Sequence, residues 1–185
     1  MGEDPAHRFE AVYRQTYRPI LGFVLRRCGS AEDAADIVAE TFVTAWRRID
    51  DLPEGDDARL WLYGVARRVI ANHKRGQQRH QKKTAVLSAE LAVQPAVAHA
   101  DTYRTSPAVE VFQTLPEGDR EVLALMAWEG LDHGEIAKVL DCSRNAVAIR
   151  LHRARRRFAR ALDAAGITDF QGADSIRPEA EGSRC

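Results

Sequence analysis

Seven arginines and no acidic residue stand between Cys142 and Leu162, and eight lysines and arginines, again without an acid, stand between Arg59 and Lys83. Guanidinium groups match phosphate in geometry and charge, so an acid-free basic run is the chemistry of polyanion binding. Each basic run follows an acidic one. Nine acids face two bases from Ser30 to Asp57, and eight face two from Ala108 to Asp141. The signs cancel to a net charge of +0. A merely solvated surface mixes its signs. This segregation predicts two separate contacts with a polyanion and acidic faces for a basic partner.

The first basic run reads "ARLWLYGVARRVIANHKR". On a helix it puts Trp61, Arg68, Asn72 and Arg75 near one outer face, flanked by Arg67, Lys74 and Tyr63. An exposed ring beside cations suits a single nucleic-acid strand, whose bases stack on aromatics while its phosphates meet arginine. The plainer alternative keeps Trp61 in the core and the arginines as solubilising charge. The preceding acidic stretch, "SAEDAADIVAETFVTAWRRI", places Asp33, Asp36, Ile37, Glu40 and Thr41 opposite an apolar stripe of Ala35, Val38, Phe42, Ala45, Trp46 and Ile49. That face is either solvated or a docking surface for a basic helical partner, with Ile37 as its apolar centre.

The elements that position these residues are helices. Phe9, Val12, Tyr13, Tyr17 and Ile20 repeat at helical spacing, with Pro19 inside the pattern and Gly29 as its stop. Ser30 with Asp33 starts a second helix reaching about Ile49. A third spans about Arg59 to Arg75, with Leu62, Val65, Ala66, Val69 and Ile70 inward. Periodicity fades from Gln77 to Pro107 and returns at Ala108. Breaks at Pro116–Gly118, Gly130 and Asp141–Ser143 then cut four more helices. No strand pattern occurs. The expected fold is all-α: two small helical domains, residues 1–76 and 108–162, joined by a flexible linker over 77–107. A tail over 163–185, rich in Gly, Pro, Ser and acids, is expected to be disordered.

Residues 131–162 have the pattern of a helix-turn-helix. His133–Leu140 is a short helix with Ile136, Ala137 and Leu140 inward, Asp141–Cys142 the turn, and Ser143 the cap of the next helix. Val147, Leu151 and Ala154 face the core. Arg144, Asn145, Ala148, His152 and Arg155, with either Ile149 or Arg153, are left for the outer side. In such motifs the second helix enters the major groove by its N-terminal end, while arginines further along meet phosphates. An ordinary basic surface helix is the alternative.

These two blocks, in this order, resemble regions 2 and 4 of bacterial sigma-70-family factors. With only a linker between them the chain is similar to the extracytoplasmic-function class. The resemblance implies a promoter-specificity subunit of RNA polymerase. Region 2 would dock on core polymerase through Asp33, Asp36, Ile37, Glu40 and Thr41. It would hold the melted −10 strand through the Asp50–Ala58 loop and Trp61, Arg67, Arg68, Asn72 and Arg75. Region 4 would read the −35 duplex through Arg144, Asn145, Ala148, Ile149, His152 and Arg153, with Arg156 and Arg157 on phosphates. Arg68 stands where the family often has Asn, and "AVAIR" where it often has Thr-Val-Lys/Arg-Ser-Arg. Ala148 and Ile149 therefore offer apolar contacts, such as to a thymine methyl, rather than bidentate hydrogen bonds. A linker of about thirty residues extends to roughly 100 Å, against a span of about two helical turns, roughly 70 Å. The implied partners are core polymerase, promoter DNA and an anti-sigma factor.

Other classes compete less well. A stand-alone helix-turn-helix repressor would need a ligand pocket or dimer face in its first domain. A metal-dependent hydrolase would have to use His73, His80, His99 and Asp101, which lack regular ligand spacing. Cys28, Cys142 and Cys185 form no CxxC pair, and the first two suit small core positions. No cofactor is expected, and the chain is expected not to be an enzyme. No apolar run suits a membrane span, and "MGEDPAHRFEAVYRQ" has no signal-peptide character, so the expected location is the cytoplasm.

Overall fold

The computed structural model describes residues 4–88 and 106–167, with only the backbone described from His80 to Ser88. The remainder of the expected linker and tail, with His99, Asp101 and Cys185, lies outside the described residues, as does the side chain of His80. Seven α-helices and one 3-10 turn (Ile49–Asp51) make up the described secondary structure. Among the described residues there is no strand.

Helix α1 (Pro5–Leu25) begins where Asp4 accepts the Ala6 amide and Pro5 supplies a preset φ at the first turn. It runs through Pro19 and stops at Leu25, short of the expected glycine stop. Helix α2 (Ala31–Arg47) starts at Ser30, whose hydroxyl accepts the Asp33 amide at 3.0 Å. Its buried residues are Ala34, Ile37, Val38, Thr41, Phe42 and Ala45. The expected stripe is therefore corrected: Ala35 is exposed, and Ile37 and Thr41, expected on the outer face, are 2% and 0% exposed. The reason is that α2 packs against both α1 and α3, so its buried stripe is wide. Thr41 tolerates burial because its hydroxyl donates to the Ile37 carbonyl at 2.7 Å. Ile37→Ala should then cost about 2–5 kcal/mol of stability as a cavity in the core, while Asp36→Ala should stay within about 0.5 kcal/mol. Urea unfolding followed by circular dichroism checks the contrast.

Helix α3 (Asp56–Ser88) buries Leu62, Tyr63, Val65, Ala66, Val69 and Ile70. It continues to Ser88, so residues 77–88, expected as linker, are helical. "QQRHQKK" contains no helix breaker, and Gln, Arg and Lys are good helix formers. What ends near Arg75 is the apolar stripe, not the helix.

Helices α4 (Pro107–Thr114), α5 (Glu117–Ala127), α6 (His133–Leu140) and α7 (Arg144–Ala164) follow. Gly130, at φ +66°, turns the chain after α5 so that the Leu131 amide donates to the Leu125 carbonyl at 3.1 Å. Two compact units result, and they do not follow chain order. One gathers residues 4–88 with 124–148, and the other gathers 106–123 with 149–167. In the first, Ile20, Phe23, Leu62, Leu125 and Ile136 are fully buried. In the second, Leu115, Leu151, Ala154 and Leu162 are buried, with Phe112 edge-on to Phe158 at 5.9 Å.

Candidate nucleic-acid interface

Helix α6 is fixed at both ends. Asp132 accepts the amides of Gly134 and Glu135 at 2.6 and 2.8 Å, and Glu135 reaches back to the Asp132 amide at 2.8 Å. This reciprocal capping box satisfies amides at both ends of the first turn and fixes the start of α6. The Glu135 amide is the main reason the Asp132 carboxyl is held below the ordinary Asp range. At the other end Asp141 takes φ 52°, and the Cys142 amide closes back on the Ala137 carbonyl at 3.0 Å. That left-handed stop is usually a glycine, and Asp is among the few side chains that tolerate it. Ser143 then accepts the Ala146 amide at 3.1 Å and starts α7. Ile136 and Val139 of α6 are buried, whereas Ala137 and Leu140, expected inward, are half-buried.

On α7 the residues Arg144, Asn145, Ile149, His152, Arg153 and Arg156 are exposed and Ala148 is half-buried. Alternating steps of one and three residues put them on one broad half of the helix. Val147, Leu151 and Ala154 are buried on the other side. Arg157, expected on phosphate, also has a partner within the protein. Its guanidinium pairs with Asp119 of α5, so it ties two helices of its unit together. Arg155 is half-buried, and burial pulls its guanidinium below its usual range.

On α3 the residues Trp61, Arg68, Asn72 and Arg75 fall within about 60° of arc at 3.6 residues per turn. Arg68, Asn72 and Arg75 are exposed, and Trp61 is half-buried. The Arg48 guanidinium lies 5.5 Å from the centre of the Trp61 ring and also pairs with Asp51 at 2.9 Å. Arg75 donates to the Asn72 side chain. Arg67 points to a different flank and is half-buried. Tyr63 cannot flank the face. It is buried, with its ring 4.9 Å from Phe23, and burial pushes its phenol pKa up.

On α2 the exposed face holds Asp36 and Glu40 with Ala35, Ala39, Val43 and Trp46. Val43 and Trp46 are 46% and 47% exposed, and they supply the apolar surface that Ile37 does not. Both are missed by the expected phase of the helix, although Val43 lies seven residues after Asp36. Trp46 sits edge-on to Phe9 at 5.2 Å, beside Tyr13, which packs on Phe42 at 4.7 Å. Asp33 is half-buried and engaged, accepting from Gln77 at 3.1 Å with His73 at 3.6 Å.

The cysteines depart from expectation, since Cys28 and Cys142 are half-buried rather than core. Burial, then the nearby Asp33 charge, pushes the Cys28 thiol up, away from reactivity. Among the described residues no three His, Cys, Asp or Glu side chains gather where a metal ion could be held. No described helix is long and apolar enough to cross a membrane.

A helix-turn-helix with an arginine-faced second helix, carried on an all-helical chain, defines a DNA-binding protein of transcription. Residues 12–80 match the family model for sigma-70 region 2, and residues 108–158 that for sigma-70 region 4. RNA polymerase sigma factor YlaC of Bacillus subtilis is 30% identical over 150 residues, covering 79% of this chain and 87% of that protein. ECF RNA polymerase sigma factor EcfG of Rhodopseudomonas palustris is 27% identical over 157 residues, covering 84% and 85%. Among solved structures, CnrH in complex with the cytosolic domain of CnrY aligns with TM-score 0.58 at 25% identity over 86% of this chain and 95% of that one. The sigma factor RpoE of Bartonella quintana, solved with the anti-sigma factor NepR, shares the fold, with TM-score 0.59 at 20% identity over 84% and 96%. The chain belongs to the sigma-70 family of RNA polymerase sigma factors, in its extracytoplasmic-function group. Members are promoter-specificity subunits and not enzymes.

Proposed function

We propose that the chain binds core RNA polymerase in the cytoplasm, recognises −35 and −10 promoter elements and promotes DNA melting. The observation that carries this reading is that each family-matched segment bears its own exposed cationic helix face, Arg68–Arg75 on α3 and Arg144–Arg156 on α7. Asp36, Glu40, Val43 and Trp46 dock on polymerase. Trp61, Arg68, Asn72 and Arg75 hold the displaced −10 strand, with Arg67 at the flank. Arg144, Asn145, Ala148, Ile149, His152 and Arg153 meet −35 base edges, and Arg156 meets phosphate. An anti-sigma factor is a further partner by family. Run-off transcription with core polymerase, followed by mapping of the 5′ ends, tests the whole reading. Initiation at a shared pair of upstream elements supports it. Tight binding of the chain alone to a symmetric site, with no initiation when polymerase is added, replaces it with a repressor.

The duplex reader makes its own prediction. Asn145→Ala and Arg153→Ala should each weaken binding by ~1–3 kcal/mol and relax base preference at one position. Arg156→Ala should weaken binding evenly across sequences and reduce the salt slope by about one. Arg157→Ala should instead lower thermal stability, because Asp119 loses its partner. Binding-site selection, salt titration and a thermal melt separate the three. Unchanged base preference for every substitution from Arg144 to Arg153 sinks base reading by α7.

A further inference from the structure

We propose that Arg8, on α1, is a positioning residue for capture of the −10 strand: it fixes the loop between α2 and α3 that leads into Trp61. The inference rests on the assignment of the melted strand to that loop and the start of α3. The loop is held at its two ends by its own backbone. At the first, the Asp51 amide closes on the Arg48 carbonyl at 3.0 Å and the Leu52 amide on the Ile49 carbonyl at 3.3 Å. At the second, Gly55, at φ +61°, reverses the chain, and the Ala58 amide donates to its carbonyl at 3.2 Å as α3 begins. Between these turns lies Leu52–Pro53. Proline has no N–H, so this peptide can be hydrogen-bonded only through its carbonyl. The Arg8 guanidinium donates to that carbonyl across 44 residues of chain. A hydrogen bond from a charged donor is of the stronger kind. The Leu52 side chain, 2% exposed, pins the same residue to the core. Side chain and carbonyl together fix both the position and the direction of the loop.

Arg8 is itself held in place. Asp4 caps α1 by accepting the Ala6 amide at 3.1 Å, and its carbonyl accepts the Arg8 amide at 3.0 Å. The neighbouring Phe9 stands edge-on to Trp46 at 5.2 Å and to Phe42 at 6.5 Å, so this turn of α1 is packed on α2. Arg8 is half-buried and precedes the region 2 match, which begins at residue 12. Across the 3-10 turn, Arg48 pairs with Asp51 at 2.9 Å and lies 5.5 Å from the centre of the Trp61 ring. One arginine thus ties the loop to α1, and the other ties it to the ring. Fixing the loop matters because of what it carries. Asp50, Asp51, Glu54 and Asp56 are exposed along it. Carboxylates repel phosphate and accept from base amino groups. Beside a strand they contribute discrimination between bases rather than affinity. Discrimination needs acceptors held to within about 0.5 Å.

Holoenzyme made from core polymerase and the full chain tests the proposal, on a promoter found by 5′-end mapping and randomised across its −10 element. Heparin-resistant complexes are isolated and their DNA is sequenced. Arg8→Met keeps the apolar stem and removes the donor. It should lower the yield of open complexes several-fold and flatten base preference within the −10 element. Binding to −35 duplex should stay within about twofold, because α7 is untouched. Arg8→Lys, which can still donate to the carbonyl, should restore part of the preference. In the free chain, amide exchange over residues 48–55 should quicken in Arg8→Met while that of α2 stays as in wild type. Unchanged base preference overturns the proposal whatever the yield, and so does unchanged exchange in the loop. A uniform loss of −35 binding and opening, with a lowered thermal melt, overturns it as well and makes Arg8 a residue of the fold alone. If Arg8→Met is silent while Trp61→Ala abolishes opening, the role of Arg8 falls and strand holding by α3 stands. If Trp61→Ala and Asp50→Ala are silent too, strand holding at this end of α3 falls with it.

Discussion

A protein carrying Asp36→Lys with Glu40→Lys will stay folded and will no longer co-purify with core RNA polymerase. Both carboxylates are exposed on α2, one helical turn apart, with Ala39 and Val43 on the same face. Neither contributes to the buried stripe of Ala34, Ile37, Val38, Thr41, Phe42 and Ala45. Substitutions clear of the core typically move stability by about 0.5 kcal/mol or less, so the thermal melt should shift little. The interface is another matter. An acidic face selects a basic partner, and reversing two of its charges sets like against like at a cost of several kcal/mol. At about 1.4 kcal/mol per tenfold, that is a loss on the order of a hundredfold or more in affinity. Trp46→Ala should weaken assembly as well, since a half-exposed tryptophan at the edge of an acidic face is a typical anchor. Gel filtration of core polymerase mixed with each variant gives the readout. Co-elution of the double reversal at wild-type yield would remove α2 from the docking surface.

How far this surface was legible in the sequence depends on what each residue's environment reveals locally. Helix starts at Ser30 and Ser143 were visible because a cap hydroxyl and its amide lie three residues apart. Val147, Leu151 and Ala154 were visible because α7 buries a narrow stripe with clean spacing. The phase of α2 was not. Its buried face is wide enough to include Ile37 and Thr41, and a polar threonine gives no sign that its own backbone will satisfy it. The length of α3 was hidden for the opposite reason. From Gly76 to Arg79 it buries no side chain, and periodicity detects only helices that bury one face. The Asp132–Glu135 capping box is local and could have been read from its spacing. The pairing of the buried Glu129 side chain could not. Its partners, Arg26 and Arg27, lie about a hundred residues away in the chain, and no local pattern announces a pairing across that distance. Arg157 is a similar case, since one arginine in a run of seven looks like its neighbours until Asp119 is found beside it.

Trp61→Ala and Arg68→Ala should impair promoter opening far more than the first binding of holoenzyme to duplex. Opening needs a surface that favours an unstacked base over a paired one. Stacking on an aromatic contributes about 1–3 kcal/mol per base, and taking a base out of the helix costs a few kcal/mol. Removing the ring therefore withdraws most of what offsets unstacking, at roughly tenfold per 1.4 kcal/mol. Arg68 lies seven residues beyond Trp61 on the same stripe and is exposed. There it can meet the phosphate that follows the stacked base. Arg48 covers the Trp61 ring at 5.5 Å and is held by Asp51, so the ring keeps its orientation while its remaining face receives a base. Initial recognition runs through α7 instead, which neither substitution touches. The expected pattern is near-normal duplex binding by holoenzyme, with permanganate reactivity of the −10 thymines reduced on the order of tenfold or more for Trp61→Ala. For Arg68→Ala the loss should be smaller and should grow with salt, since a phosphate contact is screened and a stacking contact is not. Equal losses of duplex binding and thymine reactivity would show that Trp61 acts before melting and would move the strand-holding role off α3.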